Sequence, residues 1–279
     1  AIEAGIHKVR INPGNIGKEE WEREVLLAAK EKGIPIRIGV NSGSLERDLL
    51  DKYGYPKPEA LFESAMRHVE ICRKHGFEDI VISVKHPDVN YMTQAYRLIA
   101  ERTDFPLHLG VTEAGSFVSG SIKSAIGIGA LLAEGIGDTI RVSLATDPVK
   151  EVEVAHQILK ALRLGPPGVN IIACPTCGRL TGDLFSIVEA VEEAVKARKF
   201  KKNLNVALMG CAVNGPGEAA GADLGISLGR GRAHLFIRGT VVRVVPEDQI
   251  VDAVLEAIEQ WEETPDETPA QANGQADAS

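Results

Sequence analysis

Five times between Ala1 and Leu164 a short β-branched run gives way to a loop and then to an amphipathic stretch. This alternation constrains the chain more than any other feature. A strand that returns parallel to its predecessor needs a long crossover, and an amphipathic helix both supplies it and covers the sheet. Strands are expected at His7–Ile11, Pro35–Val40, Asp79–Val84, Pro106–Val111 and Thr139–Leu144, with helices following at Glu19–Glu31, Pro58–His75, Asn90–Glu101, Ser121–Glu134 and Pro148–Leu162. Within Glu59–Cys72, for example, Leu61, Phe62, Ala65, Met66, Val69 and Cys72 recur at helical spacing. At roughly 33 residues per unit, five units fall three short of the eight that close a barrel of about 250 residues. The count is compatible with an open doubly wound sheet or with a barrel shortened at its N-terminus.

Gly165-Pro-Pro-Gly168 breaks the repeat and marks a domain boundary. After it come a strand at Val169–Ala173, a helix at Leu184–Lys199 and strands at Asn205–Met209, Leu224–Leu228, His234–Arg238 and Val241–Val245. A final helix covers Glu247–Glu262, and Gly239-Thr240 suggests a hairpin between the last two strands. The expected organisation is an α/β domain over 1–164, a smaller α+β domain over 169–262, and a disordered tail over 263–279. That tail is rich in Pro, Ala, Gln, Asp and Thr.

A net charge of −8 over 279 residues opposes general nucleic-acid binding, which needs a basic field, while leaving room for a local basic pocket. The most apolar stretch, Ile126 to Ile136, is interrupted by Gly127, Gly129, Glu134 and Gly135, so no membrane span is expected. Four cysteines in a chain this long do not make a disulfide scaffold, and a C-x-x-C pair reads as metal or redox chemistry in a reducing, cytoplasmic setting. The sequence opens on Ala1 and not on Met, as expected of a trimmed or shortened start.

Charged and polar groups recur at the strands, at or beyond their C-terminal ends: Arg10, Arg37 with Asn41, Lys85, Glu113, and Arg141 with Ser143. That rim is where active sites form in parallel β/α structures. Any one such cation is commonly a surface charge. Arg37 and Arg141, however, each interrupt an apolar run (Ile36-Arg37-Ile38, Ile140-Arg141-Val142), and period two turns each away from its neighbours into an interior or a pocket. Four converging cations suit a multiply charged anion such as phosphate. Glu113, a lone acid among them, is placed to handle a proton, although it could equally cap the loop that follows.

Cys174-Pro-Thr-Cys177 follows one expected strand, and Cys211, with Asn214 and Glu218 in the Gly/Pro-rich loop after it, follows another. Two thiolates from one turn and a third from a tight loop with free backbone N–H groups suit a cluster whose sulfides accept hydrogen bonds. A structural zinc would want four closed ligands, and no histidine lies near these cysteines in the sequence. Three thiolates leave a fourth position for an oxygen ligand. Cys72, on the apolar face of an expected helix, reads as an inert core residue.

With these residues in view, the chain closely resembles the GcpE (IspG) family, the 4-hydroxy-3-methylbut-2-enyl diphosphate synthases of the non-mevalonate isoprenoid pathway. The stretches that carry the resemblance are Val9–Gly17, Arg37–Leu45, Leu107–Gly115, Gly135–Leu144, Cys174–Arg179 and Met209–Glu218. The resemblance implies a partial TIM barrel of about five β/α units followed by a smaller α+β iron–sulfur domain. It implies a [4Fe–4S] cluster on Cys174, Cys177, Cys211 and Glu218. It implies that 2-C-methyl-D-erythritol 2,4-cyclodiphosphate is opened and reduced by two electrons with loss of water. Substrate contacts would fall to Arg10, Arg37, Asn41, Lys85, Arg141, Ser143 and Asn214, with Glu113 and Glu218 catalytic. Flavodoxin or ferredoxin would supply the electrons, a homodimer would form, and the first barrel strands, with a further arginine and a histidine, would lie outside this sequence. Two rival readings are a non-catalytic metal-binding module with Cys72 or Glu218 as fourth ligand, and a phosphate-binding barrel lyase or isomerase using Lys85.

Overall fold

The computed structural model describes residues 1–17, 19–196 and 198–263. The chain divides into two compact units, Ala1–Gly165 and the part from Pro166 onward. In chain order the first holds β1 (Val9–Ile11), α1 (Pro13–Ile16), α2 (Glu19–Lys32), β2 (Ile36–Asn41), α3 (Arg47–Tyr53), α4 (Pro58–Lys74), β3 (Ile80–Lys85), α5 (Val89–Ala100), β4 (His108–Leu109), α6 (Phe117–Ala133), β5 (Thr139–Ile140) and α7 (Pro148–Ala161). The second holds β6 (Val169–Ala173), α8 (Leu184–Lys196), β7 (Leu204–Met209), α9 (Gly215–Ala219), β8 (Leu224–Gly229), β9 (Arg232–Ile237), β10 (Thr240–Pro246) and α10 (Ile250–Glu263).

In the first unit β1, β2 and β3 pair in parallel, as do β4 and β5. An Ile82–Leu107 bridge, in which the Ile82 N–H donates to the Pro106 carbonyl at 2.9 Å, links the two sheets. Five parallel strands with crossover helices are therefore present, and among the described residues they do not close into a barrel. Every residue of β3 is buried, as expected of a parallel strand covered on both faces. Ile36, Ile38, Ile82 and Leu109 pack with Leu61, Ala65, Val69 and Cys72 of α4, Met92, Tyr96 and Ile99 of α5, and Ile128 and Leu131 of α6. Each fully buried Leu or Ile contributes about 1.5–3 kcal/mol. The helices start on local signals: Pro58 and Pro148 occupy first turns, and the Asp88 carboxylate accepts from the Asn90 and Tyr91 N–H groups.

The structure corrects several sequence expectations. The strands expected at Pro106–Val111 and Thr139–Leu144 shorten to two residues each. Pro106 has no N–H, and the Leu107 N–H is taken by the Asp138 carboxylate at 2.7 Å instead of a ladder carbonyl. The helix expected from Ser121 begins at Phe117, and Gly120 sits inside it because a Cβ there would strike a Leu144 methyl. α3 was not expected at all. Apart from Glu263, which closes α10, the expected tail over 263–279 lies outside the described residues.

In the second unit the sheet order is β10-β9-β8-β7-β6, parallel from β6 to β8 and antiparallel beyond. Leu184, Ile187 and Val191 of α8 and Ile250, Val254 and Ile258 of α10 bury the face formed by Val206, Leu208, Leu224 and Ile226. The last hairpin turns at Arg238-Gly239, one residue earlier than expected, because Thr240 already pairs with Ile237. Both turn residues have positive φ (47° and 76°), which a two-residue hairpin of this hand requires.

Candidate functional site

The strands of the first unit carry Arg10, Arg37 and Lys85, whereas Arg141 lies just after β5 and is exposed, as Arg10 is, and not turned into an interior as its apolar neighbours suggested. Arg10 and Arg37 are partners across β1 and β2, and Asn41 is the partner of Lys85 across β2 and β3. Arg37 is the second residue of its strand, not a residue of the C-terminal rim: β2 runs on to Asn41 because Gly39, Val40 and Asn41 keep pairing with Ser83, Val84 and Lys85. Two glycines make room for the long side chains. A Cβ on Gly39 would run into the Arg10 side chain, and one on Gly110 would meet the Arg141 carbonyl oxygen at 2.8 Å and Lys85 Nζ at 3.4 Å.

The charges act strongly on one another. Burial, then Arg141, Arg37 and Arg10, hold the Lys85 ammonium down at about 7. Burial and then Arg10 lower Arg37, and burial and then Arg141 lower Arg10. Arginine stays charged regardless. The Arg37 Nε is buried with no hydrogen-bond partner among the described residues. Like charges held this close, with a buried donor unmatched, are stabilised when an anion enters.

Two members of this array escaped the sequence reading. Lys8 is the exposed residue just before β1. His108 opens β4, and burial followed by Arg37, Lys85, Lys8 and Arg141 hold its imidazole down at about 3. His108 stands between Leu107 and Leu109, the same interrupted apolar pattern that singled out Arg37 and Arg141, so its signal was present.

Beyond the strand ends, Glu113 is exposed and holds φ at 51°, a left-handed conformation unusual for a side chain of its size. His86, buried directly after Lys85, is lowered first by burial, while Asp88 and then Glu113 pull the other way. Its Nδ1 accepts from the Asp88 N–H at 2.9 Å, and Tyr55 and Tyr91 meet its ring edge-on. Ser143 is half-buried after β5, and the Asn41 side chain accepts from the Gly43 N–H at 3.2 Å.

In the second unit the loops after β6 and β7 are tied together. The Thr181 N–H donates to the Gly210 carbonyl at 3.1 Å, and Arg179 reaches the Asn214 side chain at 3.4 Å. A Cβ on Gly210 would lie 4.0 Å from Cys174 Sγ, so the two cysteine loops pack directly. Cys174 is half-buried, Cys177 exposed and Cys211 buried, while Glu218 is exposed in α9. The Cys211 thiol is lowered first by the Asn214 N–H, then by that of Val213 against the effect of burial, with smaller help from Gly215 and Arg179. Among the described residues no three His, Cys, Asp or Glu side chains are gathered tightly enough for a single metal ion. A four-iron cube is a larger body whose ligands stand farther apart. Three thiols and a carboxylate on two joined loops, with backbone N–H groups aimed at a sulfur, make a donor set that fits one. Cys72 lies apart from this group, within the core of the first unit.

Comparison with known proteins agrees with both units. The GcpE TIM-barrel domain matches residues 1–156, and the GcpE protein C-terminal domain matches residues 170–260. The 4-hydroxy-3-methylbut-2-en-1-yl diphosphate synthase (flavodoxin) of Symbiobacterium thermophilum is 54% identical over 259 residues, covering 93% of this chain and 70% of that protein. The enzyme of the same name from Geobacter sulfurreducens is 54% identical over 260 residues, covering 93% and 73%. That of Clostridium tetani is 55% identical over 258 residues, covering 92% and 73%. Since both domains match in order and more than half the aligned positions are identical across nearly the whole sequence, the chain belongs to the GcpE family.

Proposed function

We propose that this chain acts as a 4-hydroxy-3-methylbut-2-enyl diphosphate synthase, an oxidoreductase of the non-mevalonate pathway. It would take 2-C-methyl-D-erythritol 2,4-cyclodiphosphate, two electrons and two protons to the open-chain diphosphate and water. The observation that carries this reading is the cation array of Arg10, Arg37, Lys85 and Arg141, in which Arg37 Nε is buried with no partner among the described residues. Bidentate arginines and a compact ammonium bind and orient a diphosphate, with Asn41 and Ser143 adding neutral hydrogen bonds. The gain of a counter-ion restores the Lys85 proton, so the site becomes fully charged only as the substrate arrives. Glu113 delivers a proton to oxygen as the C–O bond opens.

Cys174, Cys177, Cys211 and Glu218 would hold a [4Fe–4S] cluster, which when bound supplies the two electrons one at a time. Flavodoxin, or ferredoxin in its place, is the proposed donor, since the relatives are named as flavodoxin enzymes. A cytoplasmic homodimer is proposed as the working form. Among the described residues, no helix is long and apolar enough to cross a membrane.

The test is anaerobic reconstitution with iron and sulfide, metal analysis, and product formation with reduced flavodoxin. Close to four irons and four sulfides per chain and turnover of the cyclodiphosphate are expected of a single cubane. A colourless protein holding one zinc ends this reading.

A further inference from the structure

His68, on α4, is a buried charged group that no step above uses. It is 6% exposed and stands between two carboxylates, with Nδ1 3.0 Å from both oxygens of Glu22 and Nε2 3.3 Å from Glu46. Burial opposes the charge, and the two carboxylates overcome it, so the ring is protonated at both nitrogens. A buried charged triad is weak support for stability, because desolvation offsets the attraction and apolar residues of similar volume serve as well. What such a triad does supply is one fixed geometry.

That geometry reaches the strand ends through Glu46. This residue precedes α3, its carbonyl accepts from the Leu49 and Leu50 N–H groups, and its carboxylate also accepts from the Ser64 hydroxyl at 2.8 Å. Its side chain keeps 16% of its surface exposed, so without His68 and Ser64 it has water to turn to. Five residues earlier stands Asn41, the last residue of β2 and the partner of Lys85. Between the two runs a turn at Ser42–Ser44, followed by the buried Leu45. The turn is packed from its other side as well: the Asn12 amide donates to Ser44 Oγ at 2.9 Å, and a Cβ on Gly14 would run into the Ser44 carbonyl oxygen. Asn41 Oδ1 accepts from the Gly43 N–H at 3.2 Å, so the turn decides which way the amide faces. With its oxygen taken by a backbone N–H, the amide has its NH2 group left to donate.

We propose that Glu46, held by His68 and Ser64, is a positioning residue of the anion site: it fixes the Ser42–Ser44 turn so that Asn41 presents its NH2 group to the ligand beside Lys85. The inference rests on the diphosphate reading above and adds to it residues that shape the site without touching the ligand. Glu22 stands one layer further back and keeps the His68 ring charged and in place.

The experiment is a double-mutant cycle on the full, reconstituted chain, read by calorimetry with inorganic pyrophosphate. Glu46→Ala and Asn41→Ala should each weaken binding about tenfold, the scale of one neutral hydrogen bond. Together they should lose no more than about twofold beyond Asn41→Ala alone, because Glu46 acts through the amide it aims. Glu46→Gln still accepts from His68 and Ser64 and should bind within about threefold of wild type. Losses that multiply in the double variant, wild-type binding by either alanine variant, or a glutamine variant as weak as Glu46→Ala overturns the proposal. If Glu46→Ala does not fold, Ser64→Ala takes its place in the cycle. Its loss of about threefold should vanish in the Asn41→Ala background, and a loss that persists there overturns the proposal equally. If wild type binds no pyrophosphate, the diphosphate reading itself fails and takes the positioning role with it. That outcome is distinct because the defect then lies in the wild type and not in a variant.

Discussion

Arg10 lies across the face that Gly39 leaves bare, and its Nη2 donates to the Gly39 carbonyl at 2.8 Å. The glycine is thus part of the anion site, although it carries no functional group. Gly39→Ala should displace the Arg10 side chain and weaken pyrophosphate binding about tenfold, while overpacking costs about 1–3 kcal/mol of stability. Calorimetry and thermal melts check both, and unaltered binding would remove Gly39 from the site.

Lys85 makes the array expensive. Its ammonium falls from 10.5 to about 7 on folding, first through burial and then through the three arginines. The unfolded chain therefore holds more protons between about pH 7 and 10.5, so this residue's contribution to stability rises across that window and its cost is fully present below it. Lys85→Met should melt higher than wild type at pH 6, by about 1–3 kcal/mol, with the gap closing towards pH 10. The same variant should lose at least about tenfold in anion affinity. A variant less stable than wild type at pH 6 contradicts this account.

His68 shows the opposite sign. It lies between two carboxylates, with Nδ1 3.0 Å from Glu22 and Nε2 3.3 Å from Glu46, and the Ser64 hydroxyl also donates to Glu46. Burial works against the charged ring, but Glu22 and then Glu46 overcome it and raise it to about 9. The stability this provides is fully present below about pH 6.5 and is lost as pH climbs through 9. His68→Leu should cost about 3–5 kcal/mol at pH 6 and less at pH 9. Denaturant melts at the two pH values measure it, and a pH-independent loss would argue for packing alone.

Glu113 joins an unfavourable backbone conformation to a proposed proton-handling role. Glu113→Gly should raise stability by about 1 kcal/mol, since glycine adopts φ near 51° freely, and should abolish turnover. Glu113→Gln should keep iron content and cyclodiphosphate affinity while turnover falls. Undiminished turnover in the glutamine variant removes the role.

The four cysteines should separate into two classes. Burial, then Glu22, pushes the Cys72 thiol up to about 12, and Cys72 is fully buried. Cys72→Ala should leave iron and sulfide content unchanged at a cost of about 1 kcal/mol. Alanine at Cys174, Cys177 or Cys211 should each lower cluster content sharply. Iron retained by all three, or lost from Cys72→Ala, would refute the assignment.

Periodicity alone placed β2, β3, α4, α5, α7 and β6 within a residue or so, because each is long or strongly patterned. It overextended β4 and β5, and β4 starts late because the Leu107 N–H bonds to Asp138, thirty-one residues away. It missed α3, whose seven residues are too few for a periodic signal.

The site divides along the same line. Residue type and spacing selected Arg10, Arg37, Lys85, Arg141 and the cysteine loops, because charge and thiol chemistry are written into single residues. Only the assembled strands decided that Gly39 makes room for Arg10, that Lys85 titrates near neutrality, and that Arg37 and His108 each bury a side-chain nitrogen without a partner among the described residues. Those properties arise from burial and from charges brought together across separate strands, and no local stretch of sequence contains them.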